Sequence, residues 1–321
     1  MTDLATADVE LQLEQHRVEL TAYCYRMLGS GFEAEDAVQE TLVRAWRGYD
    51  RFEGRAALRS WLYSIATNVC FDMLRGRRRR ALPMDLGPSS RGDATPSPPQ
   101  RERAWVEPIP DGQVMPENAD PADIAISRDT IRVAFIAALQ HLPPRQRAVL
   151  ILREVLRWKA TEVAELLGTT VVSVNSALQR ARATLADADL TQNDAMDDEQ
   201  RALLARYVDA FERFDIESLV SLLHEDATTS MPPYDFWLRG AAELGKWLRG
   251  GGKDCRGSRL MATMANGSPA FGQWRPSGPG GAFEPWCIHV LEVSDGRISA
   301  INYFVDPKLF PVFGLPTRLE P

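Results

Sequence analysis

The clearest helical periodicity lies between Leu20 and Arg80. Leu20, Tyr23, Cys24, Met27 and Leu28 make one apolar stripe, Ala34, Ala37, Val38, Leu42, Ala45 and Trp46 a second, and Leu58, Trp61, Leu62, Ile65, Val69 and Met73 a third. Recurrence at steps of three and four predicts three amphipathic helices in a small bundle. From 87 to 121 the pattern dissolves into prolines (88, 96, 98, 99, 108, 110, 116 and 121) among Ser, Gly and charge, a composition unable to build its own packed core. Within that linker only "AWVEPIPD" at 104–111 carries apolar anchors, Trp105 and Ile109, which marks it as a segment able to dock on a folded domain rather than float.

Helical periodicity resumes near Ile126, is broken by Pro143 and Pro144, and ends near Leu185. Its last part holds two helices joined by a tight turn. Val163, Ala164 and Leu167 are apolar at helical spacing, Gly168 suits the left-handed position that closes a helix, and Ser173 is a good N-cap for the next. In "SVNSALQRAR", Val174, Ala177, Leu178 and Ala181 form the inner face, leaving Ser173, Asn175, Ser176, Gln179, Arg180 and Arg182 outside. This reads as a helix-turn-helix whose second helix enters a DNA major groove. The plainer alternative is a helical hairpin with a solvated face.

After an acidic stretch, "DADLTQNDAMDDEQ", the texture changes. Helices near Gln200–Arg213 and Ile216–His224 precede alternating, aromatic-rich runs that read as strands, with Asn266-Gly267 and Asp295-Gly296 as two-residue hairpin turns. The chain therefore divides into helical residues 1–80, a linker 81–125, helical residues 126–187, an acidic linker 188–197 and an α+β block 198–321.

Net charge of −7 over 321 residues leaves room for local basic patches but not for a coat of nucleic acid. Cys24, Cys70, Cys255 and Cys287 have no CxxC or Cys/His metal spacing, so buried, reduced thiols, no metal and no cofactor are expected. The N-terminal sequence lacks a signal-peptide core and no run of eighteen apolar residues occurs, so a soluble, cytoplasmic protein is expected.

The motifs are more specific together than singly. "EAEDAVQETLVRAW" sets Glu35, Asp36, Gln39 and Glu40 opposite its apolar stripe, and "SWLYSIATNVCFDMLRGRRRR" ends strongly basic. With "LQHLPPRQRAVLILREV" and "AELLGTTVVSVNSALQRARATL" in that order, residues 16 to 187 resemble a bacterial sigma factor of the extracytoplasmic-function group. The resemblance implies two all-α domains, regions two and four, that dock on core RNA polymerase (its beta and beta-prime subunits) and together select promoter DNA. It implies that Asp36, Gln39 and Glu40 meet the polymerase clamp, where a carboxylate face suits a basic partner. The helix from Ser60 to Arg80, through Trp61, Asn68, Asp72, Arg75, Arg77, Arg78, Arg79 and Arg80, would capture the minus-ten element, where an unstacked base needs compensating contacts. If all five arginines touched phosphate, single-strand binding would fall with salt at a log–log slope of about −3.5, from roughly −0.7 per contact. The helix from Ser173 would read the minus-thirty-five element. It departs from the family pattern at Asn175 and Ala177, where many relatives are basic, so the promoter sequence does not transfer.

The last 120 or so residues resemble a SnoaL-like α+β cone domain, through "YVDAFERFDIESLVSLLHEDATTSMPP", "FWLRG" and "CIHVLEVSDGRISAINYFVD". Related folds catalyse isomerisation or cyclisation, and His224, Asp226, His289 and Asp306, among Tyr234, Trp237, Trp274, Trp286 and Tyr303, are the acid/base candidates. Core packing is the expected role for them, with no reaction catalysed by the chain. The resemblance instead implies regulation through an intramolecular contact with the sigma domains, favoured by high effective concentration. The interface is expected at Trp247, Gly250, Gly251, Gly252 and Lys253, and at Asp306, Pro307, Lys308 and Leu309; the plainer alternative is a flexible hairpin connection and a tail strapped to the sheet by Leu309 and Phe310. Two alternatives stay open: an isomerase or cyclase fused to a DNA-binding regulator, and a simple helix-turn-helix repressor, which leaves "EAEDAVQE" and the arginine run unexplained.

Overall fold

In the computed structural model, residues 9–52, 57–115, 121–186 and 197–321 are described, and the chain splits into two compact units. The acidic linker expected at 188–197 lies outside the described residues except for Asp197.

The first unit joins the residues up to Arg80 with those from Asp111 to 186. Its helices are α1 (Arg17–Leu28), α2 (Gly31–Gly48), α3 (Leu58–Leu74), α4 (Asp111–Val114), α5 (Pro121–Asp129), α6 (Val133–Gln140), α7 (Pro144–Leu150), α8 (Ala160–Leu166) and α9 (Val171–Leu185). Gly29 ends α1 at φ 72°, and Ser30 then caps α2 by accepting a hydrogen bond from the Glu33 N–H. The stripes pack as expected, with Leu20, Tyr23, Met27, Leu28, Ala37, Val38 and Leu62 fully buried. Trp46 does not: it is 50 % exposed, because it lies round the helix from Ala45 on the side of Val43. The third helix also stops earlier than the sequence suggests. α3 closes at Leu74, Arg75 is extended, and Gly76 turns the chain at φ 72°, so Arg77–Arg80 are not helical.

The second unit contains 81–110 and the C-terminal block. α10 (Asp198–Glu212) and α11 (Ile216–Ser221) precede β1 (Leu223–Ser230), so His224 belongs to a strand rather than a helix end. β2 (Trp237–Arg239), α12 (Ala241–Arg249), β3 (Arg259–Ala265), β4 (Ser268–Arg275), β5 (Glu284–Ser294), β6 (Arg297–Phe304) and α13 (Leu309–Val312) follow. The sheet order is β2-β1-β6-β5-β4-β3, antiparallel except for β1 beside β6. Both expected hairpins form, with Asn266, Gly267, Asp295 and Gly296 all at φ of 50–70° as such turns require. A core of Tyr207, Phe211, Trp247, Phe271, Leu291 and Ile301 fills the space between sheet and helices.

The proline-rich segment 81–110 has no core of its own and borrows one. Val106 and Ile109 are fully buried and Trp105 is 6 % exposed. The Ile109 N–H donates to the Asn266 side-chain oxygen while the Asn266 N–H donates to the Ile109 carbonyl. Further along, the Ser90 N–H donates to the Trp237 carbonyl, the Trp237 indole to the Gly87 carbonyl, and the Gly92 N–H to Glu243. These bonds satisfy backbone that prolines leave without a regular ladder. Among the described residues no helix is long and apolar enough to cross a membrane.

Candidate nucleic-acid interface

α9 begins one turn earlier than Ser173. Thr170 is the N-cap and its hydroxyl accepts from the Ser173 N–H at 3.2 Å; Ser173 is the third helical residue. The turn before it uses Gly168 at φ 58°, as expected, and α8 is fixed by Glu162, which accepts from the Lys159 N–H at 2.7 Å. Val174, Ala177, Leu178 and Ala181 are buried, locking the helix against α7 and α8. Ser173, Asn175, Gln179, Arg180 and Arg182 are exposed and Ser176 is half-buried. The free N–H groups of the first turn and the helix dipole add positive potential there. Arg182 is not a free cation, being paired to Glu154 at 2.6 Å. Sequence reasoning missed Val172, 75 % exposed in the first turn.

Asn68 and Asp72 on α3, and Arg75 just beyond its end, are exposed. Trp61 is half-buried and stacks on Phe52 with ring centres 4.9 Å apart, so it is held at the helix start rather than offered fully to solvent. Asp72 pairs with Arg75 at 2.9 Å and approaches Arg44 at 3.8 Å. The arginine run divides. Arg77 and Arg80 both meet Glu33, Arg80 at 2.8 Å with its side chain only 11 % exposed, and Arg79 meets His141. Among the described residues Arg78 has no ion pair.

No periodic or compositional signal foretells that the two helical blocks close on each other. Arg26, in α1, is 3 % exposed and donates to the Thr130 carbonyl and hydroxyl at 3.1 and 2.8 Å. Arg147, in α7, is also 3 % exposed; it donates across to the Met27 carbonyl and locally to Gln140 and the Leu142 carbonyl. Neither buried cation has a carboxylate partner among the described residues. Burial lowers both guanidinium pKa values to about 10, leaving them charged at neutral pH and held by carbonyl dipoles. Trp158, just before α8, packs on Tyr63 of α3 at 5.1 Å, with the Arg59 guanidinium over both rings.

α2 presents Asp36, Gln39 and Glu40 to solvent as expected, but the face is not purely acidic. Phe32, Val43 and Trp46, 40–50 % exposed, share it, and Glu40 is paired to Arg44 at 2.7 Å. Beside them an open groove of about 640 Å³ is lined by Leu13, Arg17, Gln39, Leu42, Val43 and Trp46.

In the C-terminal block, the glycines at 250–252 fold over Trp247. A Cβ on Gly251 would come within 2.2 Å of that indole, which itself packs on Phe236 at 4.7 Å. Lys253 is exposed at this turn. Asp306 accepts from the Lys308 N–H at 3.0 Å, Pro307 is exposed, and Leu309 is buried. Asp306, Lys308 and Leu309 line a 200 Å³ cavity whose other wall includes Arg101, Arg103 and Trp105 of the proline-rich segment. The two motifs are thus not one surface: one turn is explained by its own indole, the other borders the segment that joins the helical blocks.

Of the acid/base candidates, Asp226 is exposed and Asp306 half-exposed, while His224 is half-buried with Nε2 2.8 Å from the Ser294 carbonyl. His289 alone is fully buried. Its Nδ1 accepts from the Tyr207 hydroxyl at 2.8 Å and its Nε2 donates to Gln273 Oε1 at 3.0 Å, an oxygen that also accepts from the Cys287 thiol. Burial lowers the His289 pKa to about 3, so the ring is neutral. Tyr303 lies edge-on to it at 4.6 Å, and burial raises its phenol above the usual range. All four cysteines are free; burial raises the Cys255 and Cys287 thiols, and a hydrogen bond with Cys24 and burial raise Cys70. Among the described residues no group of three metal-binding side chains occurs.

Three family models match along the chain. Residues 13–80 match the family Sigma-70 region 2, residues 132–185 Sigma-70 region 4, and residues 204–301 the SnoaL-like domain. The chain is 44 % identical to the ECF RNA polymerase sigma factor SigG of Mycobacterium tuberculosis, over 99 % of its own length and 86 % of the relative's. To SigJ of the same organism it is 26 % identical over 93 % of this chain and 92 % of that one. The crystal structure of SigJ shares the fold, with TM-score 0.60 and 21 % identity over 97 % of this chain and 99 % of that one.

Proposed function

The chain belongs to the extracytoplasmic-function RNA polymerase sigma factors, and we propose on that basis that it binds core RNA polymerase in the cytoplasm and directs initiation by reading promoter DNA with α9 and α3. The observation that carries this reading is the exposed outer face of α9, anchored by a buried inner face and opening on a positive first turn capped by Thr170. Ser173, Asn175, Ser176, Gln179 and Arg180 are assigned to the minus-thirty-five element. Arg182 is a phosphate contact only when Glu154 releases it. Asn68, Asp72, Arg75 and Arg78 are assigned to the minus-ten element, with Trp61, Arg77, Arg79 and Arg80 shaping the surface around them. The mixed face of α2, through Asp36, Gln39, Glu40, Val43 and Trp46, is assigned to the polymerase. Exposed apolar groups give such a face affinity and its carboxylates give it orientation.

Elements about 25 base pairs apart lie roughly 85 Å apart along B-DNA at 3.4 Å per pair. Trp158 and Tyr63 are 5.1 Å apart in the closed helical unit. The unit therefore has to open before both helices reach their elements, and the Arg26, Arg147 and Trp158 contacts hold it shut. The C-terminal domain regulates this step by gripping 81–110, the only covalent connection between the blocks, with Asp306, Lys308 and Leu309 at that seam. The Trp247 to Lys253 turn supports the seam indirectly by shaping the domain. The His289 cluster is read as structural, since the carboxylates Asp226 and Asp306 lie outside the core that holds it.

The test is co-migration of the purified chain with core polymerase stripped of its specificity subunit, followed by promoter-directed transcription. Truncation before Asp198 leaves initiation measurable but changed in level. Failure to bind core polymerase overturns the reading.

A further inference from the structure

α9 carries a side chain that its own unit does not use. Val172 is 75 % exposed, the most exposed of the large apolar residues among those described. Successive residues of an α-helix turn by 100°, so Val172 lines up with Ser176, Gln179 and Ala183, directly opposite the buried Val174, Ala177, Leu178 and Ala181. It therefore sits at the centre of the outward face, in the first turn. A β-branched side chain there adds neither packing nor helix propensity. Its polar neighbours Ser173, Asn175 and Gln179 offer hydrogen-bonding groups for base edges, which leaves one kind of group on the major-groove floor for an apolar side chain. That group is the C5-methyl of thymine.

We infer that Val172 determines promoter specificity by packing against a thymine methyl in the minus-thirty-five element. The inference rests on the reading of α9 as the minus-thirty-five helix and adds to it a named base. The Thr170 cap fixes the geometry, since its hydrogen bond to the Ser173 N–H holds the backbone of the first turn on either side of Val172.

The experiment uses the full chain assembled with core polymerase. A minus-thirty-five element is first selected from duplexes randomised at that region. Each thymine in the selected sequence is then replaced singly by uracil, which removes only the methyl. At one position the replacement weakens binding about fourfold, the effect of one buried methyl-sized group; at the others it has no effect. Val172→Ala binds the thymine and uracil duplexes alike at that position, with discrimination falling from about fourfold to about one, and keeps its preferences elsewhere. Because Val172 is exposed, the variant folds, and an unchanged melting curve checks this. A wild-type assembly indifferent to uracil at every position, or a Val172→Ala assembly that still discriminates, overturns the inference while leaving the function intact. An assembly that selects no element in that region overturns the reading of α9 itself.

Discussion

His289 makes the C-terminal domain sensitive to mild acid. Its folded pKa is lowered to about 3 by complete burial, against about 6.5 in an unfolded chain. Between those values the unfolded chain binds a proton that the folded domain refuses, so stability is full above about pH 6.5 and falls as pH drops towards 3. At pH 5 the loss is about 2 kcal/mol, a factor of roughly 30 in the opening equilibrium, from 1.36 kcal/mol per unit over 1.5 units. Desolvation is the cause, and the neutral ring is fully used: Tyr207 donates to Nδ1, and Nε2 donates to Gln273. Protonation would put a second N–H against the Tyr207 oxygen and an uncompensated charge among Phe211, Tyr303 and Phe271. Hydrogen exchange of the β5 amides around His289 reads this directly in the full chain, where whole-molecule melting would mix several transitions. Exchange protection of β5, corrected for intrinsic rates, falls about thirtyfold from pH 7.5 to pH 5, and His289→Gln flattens the profile. Wild-type protection independent of pH in that window refutes the reasoning.

Trp158→Ala removes the ring that bridges α3 to the second helical block; at about 3 kcal/mol for a buried Trp the closed unit loses on the order of a hundredfold in population. Energy transfer between dyes on α3 and α9 falls, and association with core polymerase speeds up. Trp105→Ala frees the proline-rich segment from the C-terminal domain at a similar cost, and limited proteolysis then cuts within 87–110 while the helical block stays intact. Single-stranded minus-ten DNA binding has a log–log salt slope shallower than about −3.5, because Arg77 and Arg80 are occupied by Glu33. Arg78→Ala reduces that slope by about 0.7, whereas a slope unchanged by the substitution removes Arg78 from the phosphate contacts.

Features that depend on neighbours a few residues away were legible in the order of residues alone. Stripes at three- and four-residue steps gave α1, α2, α3 and α9; Gly168 gave the turn of the helix-turn-helix; Asn266-Gly267 and Asp295-Gly296 gave both hairpins, since these residues tolerate the positive φ such turns need. Outward polar residues on α9 and α2 were legible for the same reason, as the complement of a buried stripe. Where local signals compete, that order misled by a turn or less: Thr170 rather than Ser173 caps α9, and Gly76 stops α3 before the arginines. Tertiary structure alone decided which charges are free and which segments are held. Glu33, forty-four residues before Arg77, occupies the arginine run; Arg147 finds a carbonyl on α1; Asn266, in a hairpin, ties down Ile109 of a segment whose composition reads as loose. The physical reason is the same in each case. A side chain's partner is fixed by distance in space, and pairings between residues so far apart in the chain leave no periodic trace in it.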